Sequence, residues 1–170
     1  TGSEALTTAL EGARLVAVLA QAQDPGNAGT IIRAADAAGA DAVVLVRGSV
    51  DPTAPKVVRS TAGSLFHLPV VTGVALDDAV TALHNAGLTV LAADGRGDFD
   101  LFEAESLLGA PSAWLLGNEA HGLPSEALSR ADAVVSIPIY GKAESLNVAA
   151  AAAVCLYASA RAQAQNSGRS

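Results

Sequence analysis

Residues 137–154, IPIYGKAESLNVAAAAAV, decide the fold of this chain. A strand-like segment, Ile137-Pro138-Ile139, runs into a short polar loop, and Ser145-Leu146-Asn147 then precede a helix made almost wholly of alanine and valine. Serine and asparagine favour helix starts because their side chains accept hydrogen bonds from N–H groups that lack intrahelical partners. A helix that is apolar on every side must be buried. The stretch therefore predicts a polar corner between tightly packed elements, a suitable place to hold a small molecule.

Segments typical of strands and helices alternate along the rest of the chain. The strand segments are mostly continuous apolar runs, as in parallel strands that are covered on both faces. They are Leu15–Ala20, Ala42–Val46, Leu68–Val71, Leu88–Ala93, Ala113–Leu116 and Ala133–Ile137. The predicted helices are Asn27–Ala38, Ala54–Ala62, Leu76–Ala86, Ser125–Ala131 and Asn147–Gln163. This alternation predicts an α/β fold with a mostly parallel sheet flanked by helices.

The composition narrows the class of protein. A chain of 170 residues suits one domain, and 51% hydrophobic against 4% aromatic residues predicts a core of small aliphatic side chains. No apolar run approaches the roughly 20 residues that span a bilayer, and no signal segment opens the chain, so we expect a soluble cytoplasmic protein. The single cysteine, Cys155, excludes an internal disulfide. His67, His84 and His121 show no metal-ligand spacing, and we expect no metal.

The charge of the chain argues against a simple nucleic-acid-binding protein. The formal net charge is −7, whereas such proteins normally carry a basic surface. The ten basic residues are scattered, and the plausible local exceptions are Arg33, Lys56, Arg59 and Lys142.

Two further loops share the small and polar character of the first stretch. They are Leu115–Pro124, LLGNEAHGLP, and Asn27–Arg33, NAGTIIR. In this order the three segments resemble the SpoU/TrmH branch of the SPOUT methyltransferases, and the resemblance covers residues 13–163. It implies an enzyme that transfers a methyl group from S-adenosylmethionine to ribose 2′-hydroxyls of RNA. It also implies a homodimer and a C-terminal trefoil knot, an exception to the rule against knotted chains.

The resemblance also implies a domain organisation. We expect an N-terminal linker remnant at residues 1–12, the methyltransferase domain at 13–165 and a polar tail at 166–170. Many relatives that act on ribosomal RNA carry an additional N-terminal RNA-binding domain, so we expect a trimmed catalytic domain. Ribosomal RNA is the expected substrate, with transfer RNA as the alternative. A housekeeping and an antibiotic-resistance role are equally compatible with the sequence.

Matching the family motifs residue by residue gives a cofactor site. Gly117, Ile137 and Leu146 match family positions that contact the cofactor. Backbone groups next to them suit the polar edge of the adenine ring, and apolar side chains suit its face. Taken singly, Ile137 and Leu146 would be interpreted as ordinary core residues. The implied cofactor residues are Ala92, Ala93, Leu116, Gly117, Ile137 and Leu146.

The same matching gives a catalytic and substrate site. Arg33 corresponds to the catalytic arginine that engages the target ribose and its phosphate, and Asn27 would cap its helix and position this region. A guanidinium with a pKa above about 12 is a poor general base, so Arg33 is expected first as a phosphate clamp. The alternative is a surface ion pair with Asp36, three residues further on.

Three other polar residues complete the implied catalytic set. Glu119 would hold the active-site loops and face the substrate, although a solvated loop carboxylate is the alternative. Ser145 and Asn147 would orient substrate or cofactor in addition to capping the last helix.

Two functions from other classes remain open. A non-catalytic cofactor-binding or RNA-binding module of the same fold is one, and the combination of Arg33, Glu119, Ser145 and Asn147 argues against it. A small dehydrogenase is the other. Gly95-Arg96-Gly97 follows a strand as in a dinucleotide-binding fingerprint, but the third glycine of that fingerprint is missing.

Overall fold

A computed structural model describes residues 2–21, 24–47, 67–118, 122–144 and 146–166 of the chain. The predicted helix Ala54–Ala62 lies outside the described residues, as do Lys56 and Arg59.

Seven strands form one sheet in which every pair of neighbouring strands is parallel. The strands are β1 (Leu15–Leu19), β2 (Ala42–Val46), β3 (Val70–Val74), β4 (Thr89–Ala93), β5 (Phe99–Asp100), β6 (Ser112–Leu116) and β7 (Ala133–Ser136). Their order is β3-β2-β1-β6-β4-β7-β5. The predicted α/β fold with a parallel sheet is confirmed, while the trefoil knot stays a prediction. The two-residue strand β5 was not predicted, because so short a segment gives no apolar run.

Six α-helices and one short 3₁₀ turn, Leu101–Glu103, are described around the sheet. The helices are α1 (Gly2–Ala9), α2 (Pro25–Ala38), α3 (Leu76–Asn85), α4 (Glu105–Leu108), α5 (Ser125–Arg130) and α6 (Val148–Asn166). Helices α1 and α4 were not predicted. Residues 1–12 were expected to be a linker remnant, but Leu6 in α1 and Leu10 just after it are only 1% exposed. The described part of this segment is therefore packed onto the folded unit.

Both ends of α2 are set by local chemistry. The helix begins two residues earlier than predicted, because the Asp24 carboxylate accepts a hydrogen bond from the backbone N–H of Asn27 at 3.0 Å, and Pro25 suits the first helical position. Asn27 therefore lies inside the first turn and is not the cap that we expected. Gly39 ends the helix in the left-handed conformation, at a φ of 82°, which glycine adopts more readily than other residues.

The core lies on both faces of the sheet. Leu15, Ala17 and Leu19 of β1 point toward α2 and α6, whereas Val16 and Val18 point toward α1, α3 and α5. The one tryptophan, Trp114, is fully buried, and its indole N–H donates to the equally buried Ser159 hydroxyl at 2.9 Å. Helix α6 packs against α2 through one face, whereas Ala150 and Tyr157 are exposed, so the alanine-rich helix is buried only in part and not on every side as we expected. None of the described helices combines the length and apolar character needed to cross a membrane.

Candidate functional site

A cavity of about 350 Å³ lies at the carboxyl ends of β4 and β6 and is closed by the segment after β7 and the start of α6. Ligands of open α/β sheets bind at this edge, and the volume falls in the range of small-molecule sites. The lining residues are Ala93, Asp94, Gly95, Arg96, Leu116, Gly117, Asn118, Gly122, Ile137, Ile139, Glu144, Leu146, Val148 and Ala151. Segments far apart in sequence therefore meet in one concave site.

The cavity brings together five of the six residues expected to bind a cofactor. They are Ala93, Leu116, Gly117, Ile137 and Leu146. Ala92 is the exception, because it is fully buried and packs in the core on the side of α3 and α5. Successive residues of a strand point to opposite faces of the sheet, so Ala92 and Ala93 do not share a surface.

The walls of the cavity combine apolar side chains with backbone groups. Ile139 and Leu146 are each 36% exposed and present apolar surface to the cavity. Ile137 and Leu116 lie deeper. Such a surface can pack against a flat ring, while the backbone of the non-helical segments 117–118 and 137–140 can offer N–H and C=O groups.

Gly117 allows two parts of the backbone to approach closely. A Cβ atom at this position would lie 2.8 Å from the carbonyl oxygen of Gly122 and 2.9 Å from Oε1 of Gln21. The Gln21 oxygen accepts a hydrogen bond from the backbone N–H of Asn118 at 3.2 Å, and Gly122 N–H donates to the Asn118 carbonyl at 3.0 Å. Even an alanine at position 117 would therefore push the neighbouring backbone away from the end of β1.

Asp94 and Arg96 form an ion pair that the sequence analysis missed. The Arg96 guanidinium donates to both carboxylate oxygens, through Nε to Oδ1 at 2.7 Å and through Nη2 to Oδ2 at 2.8 Å. The pKa of Asp94 is lowered to about 2, chiefly by the side-chain hydrogen bond from Arg96, with burial acting in the opposite direction. The position of Asp94, directly after an apolar parallel strand, is the sequence signal that could have identified it.

The start of α6 shows the capping role that we expected of Asn147. The Asn147 side-chain oxygen accepts a hydrogen bond from the backbone N–H of Ala150 at 3.0 Å, which confirms the predicted cap. Leu146 and Val148 on either side of it line the cavity, whereas Asn147 does not. Ser145 and Glu119 lie outside the described residues, as does His121.

Arg33 lies on the exposed side of α2 and is not part of the cavity lining. The alternative ion pair between Arg33 and Asp36 is not formed among the described residues. Asp36 Oδ1 instead accepts from the backbone N–H of His67 at 3.1 Å and lies 3.3 Å from His67 Nδ1. Within the part of the chain that the structure describes, the Arg33 guanidinium forms no hydrogen bond or ion pair. A cation on a solvent-facing helix surface suits an external anion.

Acidic, histidine and cysteine side chains do not gather into a metal site in the described ranges. No group of three or more of them is placed to hold an ion together. Burial raises the pKa of the Cys155 thiol to about 12, so this cysteine is a core residue in α6.

The parallel sheet and the cavity at its carboxyl edge define a doubly wound α/β protein with a small-molecule site at the usual place. The model of the SpoU rRNA methylase family matches residues 14–157, and the chain belongs to this family. The resemblance to the SpoU/TrmH branch is thereby confirmed.

Individual relatives agree with this assignment. The 23S rRNA (guanosine(2553)-2'-O)-methyltransferase RlmP of Bacillus subtilis is 42% identical over 151 residues, which are 87% of this chain and 58% of that protein. The SpoU methyltransferase AviRb of Streptomyces viridochromogenes, in complex with AdoMet, has a TM-score of 0.75 and 38% identity over 91% of this chain and 61% of that one. A structure concerned with 2-OH methylation on tRNA has a TM-score of 0.75 and 33% identity, over 91% of this chain and 97% of that one. The chain spans about half the length of the curated relatives that it matches.

Proposed function

We propose that this chain is the catalytic domain of an S-adenosylmethionine-dependent RNA methyltransferase that modifies ribose 2′-hydroxyls. The observation that carries the proposal is the cavity at the carboxyl edge of the sheet, which unites Ala93, Leu116, Gly117, Ile137 and Leu146. Family membership and the AdoMet-bound relative support the same interpretation of the cavity. We expect the protein to act in the cytoplasm, where its RNA substrates are found.

The cavity fits the donor in its chemistry. Bound S-adenosylmethionine would supply a methyl group on a positively charged sulfur. The apolar side chains of Ile137 and Leu146 would cover the adenine ring, and backbone groups next to them would bond its edge. Glu144 also lines the cavity, and its carboxylate would place negative charge near the cationic ligand.

Arg33 would act on the RNA and not on the donor. Helix α2 packs against α6, and α6 begins at the cavity, so one packed helix connects the helix that carries Arg33 to the donor site. A guanidinium that stays charged can hold a phosphate in two-point contact and stabilise charge that develops near the ribose. Glu119, Ser145 and Asn147 remain proposed partners in this step, and Asn147 also holds the start of α6.

Ribosomal RNA is the first candidate substrate. RlmP and another relative, a 23S rRNA (uridine(2479)-2'-O)-methyltransferase of Streptomyces viridochromogenes, carry 23S rRNA in their names. Transfer RNA is the second candidate, because the structure concerned with tRNA methylation is matched over 97% of its length. A net charge of −7 fits an RNA site confined to a local patch such as the one around Arg33.

Mapping 2′-O-methyl sites in total RNA, with and without the gene, tests the proposal. We expect one nucleotide of 23S rRNA to lose its methyl group in the deletion strain and to regain it with the restored gene. Loss at a tRNA nucleotide would favour the second candidate. An unchanged methylation pattern, together with donor binding by the purified chain, would favour a non-catalytic module.

The homodimer is a separate part of the proposal. Helices α2 and α6 pack against each other within one chain, and this packing already accounts for many of their small residues. The dimer therefore rests on the family resemblance and not on unpartnered small residues. Light scattering on the purified chain should give about twice the monomer mass of 16.9 kDa. A monomer at micromolar concentration that still methylates RNA would remove this part of the proposal.

A further inference from the structure

Two walls of the cavity are joined by side chains that lie between them. One wall follows β4 and contains Asp94, Gly95 and Arg96, and the other contains Gly117, Asn118 and Gly122. Leu123, the residue after Gly122, bonds to the first wall through both of its backbone polar groups. Its N–H donates to Asp94 Oδ2 at 3.2 Å, and its carbonyl accepts from Arg96 Nη2 at 2.9 Å.

Asp94, Arg96 and Leu123 depend on one another for their hydrogen bonds. The Asp94 side chain is only 4% exposed, and a buried carboxylate is costly unless charged or N–H donors surround it. Arg96 satisfies it in two-point contact and uses the same Nη2 group for the Leu123 carbonyl. Leu123 is itself buried, so its backbone groups need partners inside the protein.

Gly122 shows how tightly the two walls approach each other. A Cβ atom on Gly122 would lie 2.9 Å from Asp94 Oδ2 and 3.4 Å from Arg96 Nη2. Gly122 also has a φ of 66°, in the left-handed region that favours glycine. The carboxylate and the guanidinium therefore rest directly on the second wall.

We infer that Asp94 and Arg96 are positioning residues for the donor site, which hold the wall after β4 against Gly122 and Leu123 and so set the shape of the cavity. The inference rests on the proposed function, because it assumes that S-adenosylmethionine occupies this cavity. It adds a role for two residues whose sequence neighbourhood looked like an incomplete glycine fingerprint. Their effect is exerted through the shape of the cavity, whichever contacts the donor makes.

A second ion pair of the chain provides a matched control. Arg130 in α5 pairs with Asp77 in α3, with Nε to Oδ1 at 2.8 Å, and neither residue lines the cavity. Removal of Arg130 deletes an arginine and breaks an ion pair between exposed side chains in the same folded unit. Any general effect of lost charge or lost helix contact should therefore be present in Arg130→Ala as well.

The test is calorimetric titration of S-adenosylmethionine into the 170-residue chain and its Arg96→Ala, Arg96→Lys and Arg130→Ala variants. We expect Arg96→Ala to raise the dissociation constant about tenfold or more while the binding stoichiometry stays near that of the unaltered chain. Arg96→Lys should recover little, because one ammonium group cannot reproduce the planar fork that serves two oxygens and the Leu123 carbonyl. Arg130→Ala should bind the donor as the unaltered chain does.

The stoichiometry separates positioning from simple destabilisation. A purely structural role would lower the fraction of folded, binding-competent chain and leave the dissociation constant of that fraction unchanged. That result, or an Arg96→Ala affinity within twofold of the unaltered chain, would overturn the inference alone. If Arg96→Ala does not fold, the milder Arg96→Lys decides by the same criterion. Failure of the unaltered chain to bind the donor would overturn the proposed function as well.

Discussion

The cavity beside Gly117 and the surface around Arg33 differ in how much of each site the chain builds for itself. The cavity walls are held by backbone bridges, by Gln21 and by the pair of Asp94 and Arg96. Arg33, in contrast, is exposed and has no ion-pair partner among the described residues. We therefore expect a donor site that exists before RNA arrives and an RNA site that is completed only by the substrate. Substitutions in the cavity should therefore weaken donor binding, whereas substitution of Arg33 should slow methyl transfer.

The largest expected effect is at Gly117. Gly117→Val should abolish detectable binding of S-adenosylmethionine, because a Cβ atom alone would lie 2.8 Å from the Gly122 carbonyl and the valine branches would crowd the cavity as well. Calorimetry measures the binding, and circular dichroism checks the fold. Gly141→Val is the matched control, since a Cβ atom there meets nothing within 4 Å and Gly141 does not line the cavity. Equal donor affinity in Gly117→Val would mean that the donor binds elsewhere.

Substitution of Arg33 tests the surface that we propose to bind RNA. Arg33→Ala should lower the rate of methyl transfer at saturating donor by about 100- to 1000-fold and leave donor affinity nearly unchanged, because a transition-state contact to RNA is lost. Arg33→Lys should restore little. The measurement is incorporation of radiolabelled methyl groups into the RNA identified by site mapping. Arg161→Ala, which removes another exposed arginine from α6, should have no effect on this rate.

Either of two results at Arg33 would contradict the proposed difference between the donor site and the RNA site. Near-normal turnover would make Arg33 an ordinary surface residue. Loss of the donor would place it in the cavity region and remove the distinction between the two sites.

The pH dependence of stability should reveal the charged pair in the cavity wall. Asp94 has a pKa of about 2 in the folded chain, against 3.8 for a free aspartate, so its ionised form stabilises the fold by roughly 2 kcal/mol above pH 4. This contribution is lost as the pH falls from about 4 through 2. The difference in unfolding free energy between the unaltered chain and Asp94→Asn, measured in urea, should therefore shrink by about that amount between pH 7 and pH 2. A difference that does not change with pH would show that the charge of Asp94 is not stabilising.

Asn147 should give a smaller effect at the start of α6. Asn147→Ala removes the hydrogen bond to the Ala150 N–H and should cost about 1 kcal/mol of unfolding free energy. Asn147→Ser keeps a capping oxygen and should recover most of this loss. If Asn147 also orients the substrate, methyl transfer will fall in both variants by more than stability explains. Transfer that follows stability alone would reduce its role to capping.

The smallest effect is expected at Cys155, on the helix that connects the two regions. Burial raises its thiol pKa to about 12, so iodoacetamide at pH 7 should leave the native chain unmodified and should label it rapidly in urea. Mass spectrometry measures the fraction labelled. Fast labelling of the native chain would mean that α6 opens readily, and the donor site would then be less firmly built than the cavity geometry indicates.

Local chemistry determined much of the secondary structure. Ala42–Val46 is a strand with the predicted bounds, because a continuous run of aliphatic residues suits a strand that is buried on both faces. The cap at Asn147 and the glycine at the end of α2 could also be predicted, since each acts within four residues of its own position. The strand–helix alternation that follows from such signals was sufficient to predict the fold class. It was not sufficient for α1, because Leu6 in this helix and Leu10 just after it are covered by elements that are distant in sequence.

The three sequence motifs were sufficient to identify the family, and through the family five of the fourteen residues that line the cavity. Only the tertiary structure decided which residues share a surface. It separated Ala92 from Ala93 by the alternation of a strand, and it joined Asp94 and Arg96 to Leu123 across 29 and 27 positions of sequence. Short-range hydrogen bonding depends on neighbouring residues, whereas a contact between two loops depends on how the whole sheet brings their ends together.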